Sequence, residues 1–388
     1  MIKIKQIVKK CIEISSYTFR CIIRFLSDIF NIFPIHNKRI VFMSFNGKQY
    51  SCNPRAISEK MYSETASKKY QIVWVFDDPK KFESMLPVNI IQIKKHSILY
   101  PYYMKTAKVI VTNARGYGMI KKRKEQVIIQ TWHASNGYKK LIGDKGLSGK
   151  MSRLACKDFS YCMSGCANMT KERIEGTFGF NGPIIKGTPR MDIIFGNEHE
   201  LCEKKVHEKY NIESDYQIIL YAPTYRSSLQ KDFGLNYHSL LASIEKRFGG
   251  KWVLLVRMHY FVKPKIDNSN IFIDATNYPD MQELLLATNI LVSDYSSCIW
   301  DYSFLYRPCF LFCNDLYDYE KYLDNKHPIR SWGFPISTNT KELEDSILSF
   351  DYNKFVDNMK KHHISMGSYE DGKATDRVIA VIENTLNS

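Results

Sequence analysis

Short apolar runs rich in branched residues recur along the chain, separated by polar turns and by stretches with apolar positions at helical spacing. Arg39–Phe45, Gln71–Phe76, Ile90–Ile93, Val109–Thr112 and Val127–Gln130 read as strands, with a helix over Pro54–Ser63 after the first. Continuous apolar strands alternating with helices indicate a parallel sheet covered on both faces. A charged stretch, Glu198–Lys209, interrupts this pattern, which then restarts. Gln217–Tyr221, Trp252–Val256, Ile271–Ile273, Ile290–Ser293 and Cys309–Phe312 are the strands of a second unit, with helices over Tyr237–Phe248, Asp280–Leu286 and Cys298–Tyr306. The expected fold class is α/β, with two Rossmann-like domains facing a cleft. Ala374–Leu386 reads as a helix that crosses back over the first domain.

Residues 1–34 carry a different pattern. Lys3, Lys5, Lys9, Lys10, Arg20 and Arg24 alternate with Ile4, Ile7, Cys11, Ile14, Ile22, Phe25 and Ile29, the apolar positions recurring at helical spacing. No apolar run approaches the ~20 residues that a membrane span needs, and no signal-peptide cleavage pattern is evident. A basic amphipathic helix lying on an anionic membrane is expected there, closed by Pro34. The expected division is therefore 1–34 for membrane association, 35–205 for an acceptor domain and 206–388 for a donor domain.

The 388 residues suffice for two domains of ordinary size. Net charge is +15, which attracts nucleic acid, anionic lipid or a polyanionic substrate. Nothing in the sequence matches a nucleic-acid-binding motif, so nucleic acid is not an expected partner. Ten cysteines are scattered without a C-x-x-C pair, which indicates reduced thiols in a cytosolic setting. Asp77 and Asp78 are adjacent rather than spaced, and no His, Cys and carboxylate cluster has metal spacing. Neither a metal nor a cofactor is expected.

Candidate chemistry gathers at strand ends. In Asn289–Asp301 an apolar run ends in Asp294, followed by Ser296, Ser297 and a helical pattern. Ligands of open α/β sheets bind at that edge, where backbone N–H groups and the helix dipole attract anions. Ser296 and Ser297 are N-cap candidates. Asp301 reads as a buried hydrogen-bonding partner. His133 follows the strand Val127–Gln130, and an imidazole of ordinary pKa, about 6.5, suits a general base. Arg257 and His259 alternate after Trp252–Val256 and so share a side. A guanidinium there suits phosphate oxygens.

Six words occur in order: Gln130–Ala134 followed by Lys139-Lys140, Gly187–Asp192, Tyr221–Arg226, Arg257–His259 and the Asp294 segment. Together they resemble the CDP-glycerol glycerophosphotransferase family, the primases and polymerases of teichoic acids and related capsules. The resemblance covers roughly residues 38 to 370 and implies the two-domain fold called GT-B. It implies transfer of glycerol phosphate from CDP-glycerol, a CDP-activated polyol, to a hydroxyl of an anionic lipid-linked acceptor on the cytoplasmic face of the membrane, releasing CMP. It implies His133 as the base and His259 beside it in catalysis. Arg257, Asp294, Ser296, Ser297, Thr224, Arg226 and Arg190 are the expected donor-binding residues. Lys139 and Lys140 are expected at the acceptor or membrane. Ala134, Asn136, Thr188 and Tyr260 depart from the usual words, leaving open a ribitol-phosphate transferase. A GT-B glycosyltransferase using a nucleotide sugar is the other alternative.

Overall fold

The computed structural model describes residues 11, 14, 15, 17–19, 21–64, 69–115, 120–136, 138, 146–224, 234–258, 271–320 and 327–388. The chain divides into two compact units. The first comprises Met1–His133, Leu141–Asp192 and Tyr369–Ser388, and the second Ala134–Lys140 and Ile193–Ser368.

The first unit is built on a sheet of seven strands among the described residues: β1 (His36–Met43), β2 (Gln71–Phe76), β3 (Ile91–Lys94), β4 (Ala107–Thr112), β5 (Val127–Gln130), β6 (Tyr161–Ser164) and β7 (Ile184–Lys186). Their spatial order is β3-β2-β1-β4-β5-β6-β7, and every pairing is parallel. The strand order reverses at β1 and β4, the place where ligands bind in open sheets. Ile40, Phe42, Trp74, Phe76, Val109, Val111 and Ile129 form the buried face beneath α1 (Cys52–Glu64), while α2 (Leu99–Thr106) and α3 (Gly146–Lys157) complete the winding.

The second unit repeats the plan. Its strands are β8 (Tyr216–Tyr221), β9 (Lys251–Val256), β10 (Ile273–Asp274), β11 (Ile290–Ser293), β12 (Cys309–Phe312) and β13 (Ile336–Ser337). They pair in parallel in the order β10-β9-β8-β11-β12-β13, with the reversal between β8 and β11. The helices are α4 (His199–Tyr210), α5 (Tyr237–Phe248), α6 (Met281–Ala287), α7 (Cys298–Tyr302), α8 (Thr340–Leu348) and α9 (Tyr352–Met366).

The last helix, α10 (Ala374–Asn387), belongs to the first unit. Its Val378, Ile379, Ile382 and Leu386 join that unit's core, and its first amides are received by Asp192, at 3.1 Å from Ala374 and 2.6 Å from Thr375. Gly187 explains itself here. Its φ is +94°, and a Cβ would lie 2.7 Å from the Cβ of Ala374.

Two expectations need correction. A boundary at 205/206 would cut α4, which lies wholly in the second unit. The charged stretch that interrupts the strand pattern is a helix burying Cys202, Val206 and His207. The strands β6, β7 and β13 were not expected from the sequence; they are short, and β6 (Tyr-Cys-Met-Ser) has no branched apolar residue. Within 1–34, residues 1–10 lie outside the described residues, 21–26 are helical and Ser27–Ile32 forms a 3-10 turn.

Candidate active site

His133 stands just past β5, and its place is set by a turn of unusual backbone. Trp132 has φ +52°, a left-handed conformation that costs a bulky side chain roughly 1–3 kcal/mol. Side chains hold the turn. Gln130 accepts the amide of Trp132 at 2.8 Å, and Asn53 donates to the carbonyls of Thr131 at 2.9 Å and Trp132 at 3.0 Å. Asn53 sits in the first turn of α1 and serves the His133 turn. Its carbonyl oxygen also accepts the amide of Arg190 at 3.0 Å, tying the β7 turn to the β5 turn.

The imidazole is oriented from the neighbouring strand. His133 Nδ1 lies 2.9 Å from the carbonyl oxygen of Asn113, just after β4. A carbonyl only accepts, so Nδ1 carries the proton and Nε2 presents a lone pair. Asn113 is itself braced, its side chain accepting the Phe45 amide at 2.7 Å and donating to Ser44 at 3.1 Å. The ring packs against Trp132 at 4.1 Å and Phe45 at 5.3 Å between centroids. Burial pushes the imidazole down to about 4, and the charges of Arg190, Arg173 and Arg115 push the same way. It is therefore neutral at pH 7, as a proton acceptor must be.

Those three arginines follow strands β4, β6 and β7, and β5 between the first two leads into His133. Arg115 comes after β4, Arg173 after β6 on a π-helical segment (Thr170–Glu175), and Arg190 after β7. Trp132 meets Phe178 edge-on at 5.0 Å; Arg173 lies over the Trp132 ring at 6.0 Å and Arg115 over Phe178 at 5.4 Å. Arg190 is buried, with Nη1 3.9 Å from Cys52 Sγ. Arg190, an expected donor-binding residue, lies in the first unit with His133. Arg115 and Arg173 carry no word-level signal and were missed.

The second unit concentrates its polar groups at the matching edge. Asp294, at the end of β11, is buried and accepts the amide of Thr224 at 2.9 Å and its hydroxyl at 2.6 Å. Asp294 therefore fixes Thr224 across the β8–β11 reversal. Ser297 occupies the N-cap position of α7 without a side-chain capping bond, against expectation, because its backbone is already helical at φ −67°. Ser296 is partly buried beside it. α7 has five residues, so its dipole is small.

Arg257 emerges from β9, its amide bonded to the carbonyl of Tyr221 at 2.9 Å. Among the described residues, its Nη1 is buried with no hydrogen-bond partner. Burial lowers the guanidinium's pKa, and Asp280 opposes this. A buried guanidinium nitrogen without an acceptor is an arrangement that an anionic ligand completes. Asp280 itself caps α6, accepting from Gln282 at 2.8 Å and Glu283 at 3.1 Å. Asp301 accepts from Ser135 at 2.7 Å and from Gln282 at 3.0 Å. His259, Arg226, Lys139 and Lys140 lie outside the described residues. Among the described residues, no three His, Cys, Asp or Glu side chains are grouped to hold a metal ion.

Residues 26–384 match the family of CDP-Glycerol:Poly(glycerophosphate) glycerophosphotransferases. The chain belongs to this family. It is thus a glycerophosphotransferase of teichoic acid biosynthesis. It is 31% identical over 326 residues to the teichoic acid poly(glycerol phosphate) polymerase of Bacillus spizizenii, covering 78% of this chain and 81% of that one. It is 27% identical to the teichoic acid glycerol-phosphate transferase of Staphylococcus aureus, covering 98% and 99%, and 25% identical to the teichoic acid ribitol-phosphate primase of B. spizizenii, covering 92% and 94%. It spans only 41% of the poly(glycerol phosphate) polymerase of Staphylococcus epidermidis. Among solved structures, the wall teichoic acid polymerase TagF, as a histidine-to-asparagine variant soaked with CDPG, superimposes with a TM-score of 0.80 at 26% identity over 98% of both chains. The GT-B class of the glycerophosphotransferase follows from this likeness.

Proposed function

We propose that the protein transfers glycerol phosphate from CDP-glycerol to a hydroxyl of a lipid-linked acceptor at the cytoplasmic face of the membrane. The observation that carries this reading is the His133 imidazole, its Nδ1 proton committed to the Asn113 carbonyl and its Nε2 left to accept. The acceptor oxygen attacks the glycerol-bearing phosphorus. The bond from that phosphorus to the bridging oxygen breaks, CMP leaves, and the hydroxyl proton passes to His133 Nε2. Arg257 neutralises charge on the donor's phosphates, with Thr224 held in place by Asp294. The reading keeps Ser296, Ser297, Arg226 and His259 on the donor side, and Lys139 and Lys140 toward the acceptor. Positioning and electrostatics supply the catalysis, as in phosphoryl transfer generally.

Membrane attachment through the N-terminal segment is part of this reading. Phe19, Ile22, Phe25, Leu26, Ile29 and Ile32 are each at least half exposed. No helix among the described residues is long and apolar enough to cross a membrane. An exposed apolar row on a basic segment suits the interface of an anionic bilayer.

Release of CMP from CDP-glycerol, with CDP-ribitol in parallel, tests the reaction in the presence of membranes or a lipid-linked disaccharide. Acceptor-dependent CMP from CDP-glycerol is the expected result. CMP from CDP-ribitol alone would move the reading to the ribitol primase likeness, and silence with both donors would defeat it.

A further inference from the structure

We propose that Asp301 and His362 are positioning residues for the base: by gripping the segment that leaves His133, they set it in register with the donor-binding end of α7. The inference rests on the reading of His133 as the base and deepens it.

The segment is Ala134–Lys140. In sequence it lies between β5 and α3 of the first unit, yet it packs with the second. His133 is therefore the last residue before the chain passes from one unit to the other. Only Ala134 separates the imidazole-bearing residue from the first gripped side chain.

Ser135, Asn136 and Tyr138 make the attachment, and all three are buried. Polar side chains in such a place need partners. Ser135 donates to one oxygen of Asp301 at 2.7 Å, and Gln282 Nε2 donates to the other at 3.0 Å. Asn136 donates its amide to His362 Nε2 at 3.3 Å, which makes that nitrogen an acceptor. The Tyr138 ring meets Trp300 edge-on at 5.4 Å and stacks on His327 at 4.6 Å. Its hydroxyl donates to Met366 Sδ at 2.8 Å. Trp300 and His362 are themselves stacked, with centroids 4.3 Å apart. α7 and α9 thus form one cradle for the segment.

The Asp301 carboxylate joins this cradle to the donor side. Its helix, α7, begins directly after Ser296 and Ser297. Gln282, its second donor, stands in the first turn of α6 with its backbone amide bonded to Asp280 at 2.8 Å. Asp280 is the carboxylate whose charge acts on Arg257. A carboxylate that served α7 alone would have no need of the second residue past the base. Asp301 instead registers the donor-side serines, the helix that carries Asp280 and the chain leaving His133.

Register matters because the attacking oxygen, its proton acceptor and the phosphorus must be aligned. A displacement of about 1 Å costs about a hundredfold in rate. Asn113, Gln130 and Asn53 hold the His133 turn on its approach. Asp301 and His362 hold the chain as it leaves, so the base is fixed at both ends.

The test uses Asp301→Ala, Asp301→Asn, His362→Leu and His362→Gln in the full chain. Asn and Gln keep a polar atom where the segment bonds, and Ala and Leu remove it. In Asp301→Ala and His362→Leu, kcat for acceptor-dependent CMP release should fall about ten- to a hundredfold. The Kd for CDP-glycerol should stay within about twofold of the parent's. Asp301→Asn and His362→Gln should regain most of the loss. Where the Ala or Leu variant fails to fold, Ser135→Ala and Tyr138→Phe, which each remove one hydroxyl, carry the same expectation. Parental kcat in the folded variants would overturn the proposal. A fall in donor affinity matching the fall in kcat would assign these residues to donor binding and overturn it too. A second measurement reads the base without turnover. In protein with isotope-labelled histidine, the His133 nuclear magnetic resonance signals, identified by their absence from His133→Ala, should shift or broaden in the folded variants. Unmoved signals would overturn the proposal. Absence of CMP release by the parent defeats the reaction reading instead, and these signals then still decide whether Asp301 and His362 place His133.

Discussion

Ser135 donates its hydroxyl proton to Asp301 at 2.7 Å, across 166 residues of sequence. Ser135 is two residues beyond His133, and Asp301 lies in α7, seven residues beyond Asp294. Asn136 and Tyr138 continue the anchoring, both reaching His362 Nε2, at 3.3 Å and 3.4 Å. The segment following the base is thus fixed by α7 and α9. Ser135→Ala removes one donor from a buried carboxylate, which costs about 1–3 kcal/mol. The expected outcome is a lowered melting temperature and a reduced kcat with the Kd for CDP-glycerol retained. An unchanged kcat would show that this bond serves stability alone.

His133→Ala is expected to abolish CMP release while CDP-glycerol still binds. The acid limb of kcat/KM reports the base of the free enzyme. Because burial and three arginines hold His133 down to about 4, that limb should lie well below pH 6, to be read from initial rates across the acid range on a stopped assay. A limb centred near the ordinary imidazole value would contradict the described environment.

Arg257→Gln removes the charge but keeps an amide in its place. Loss of a charge-assisted bond to phosphate costs about 1.5–3 kcal/mol. Calorimetry should therefore show CDP-glycerol affinity falling by roughly one to two orders of magnitude. Donor affinity equal to the parent's would remove Arg257 from the donor site.

Stability should fall on mild acidification. Burial holds His133 and His363 down to about 4 and His362 down to about 3, whereas in the unfolded chain all three sit near about 6.5. Above the unfolded value the imidazoles are neutral in both states, and folding bears no cost from them. As pH falls from there toward their folded values, the unfolded chain takes up protons that the native chain does not, and stability is lost. Melting temperatures measured from pH 7.5 to 5 should decline, and less steeply when His362 and His363 are both replaced by Gln.

Gly187→Ala should destabilise the first unit, by about 1–3 kcal/mol. The new Cβ meets Ala374 at 2.7 Å on a backbone with φ +94°. A thermal melt reads this directly, and a variant as stable as the parent would mean that α10 can shift outward without loss.

The architecture was legible wherever burial on both faces leaves an uninterrupted branched run, as in Val109–Thr112 or Ile290–Ser293. It was not legible in β6, whose Tyr-Cys-Met-Ser is a strand only because β5 and β7 flank it. His133 and Arg257 stood out because a strand end is a sequence-local signal. Asn53, Asn113 and Gln130, which shape the His133 turn, did not. An amide side chain acquires its role from partners far along the chain, 78 residues away for the bond of Asn53 to Thr131. The serines of α7 misled in the same way, since whether a serine caps depends on a φ that the residue type leaves open.

The placement of α10 imposes an order on biosynthesis. Strands β1 to β7 leave the ribosome early, yet a helix that completes one face of their sheet beside α1 is translated after the whole of β8 to β13. Domains fold as units while synthesis proceeds. The first sheet must therefore wait, one apolar face covered only in part by α1, while the second unit folds, and its core is completed when Ala374–Asn387 arrives. The nascent chain is most exposed to aggregation during that interval, with part of its first core still open to water.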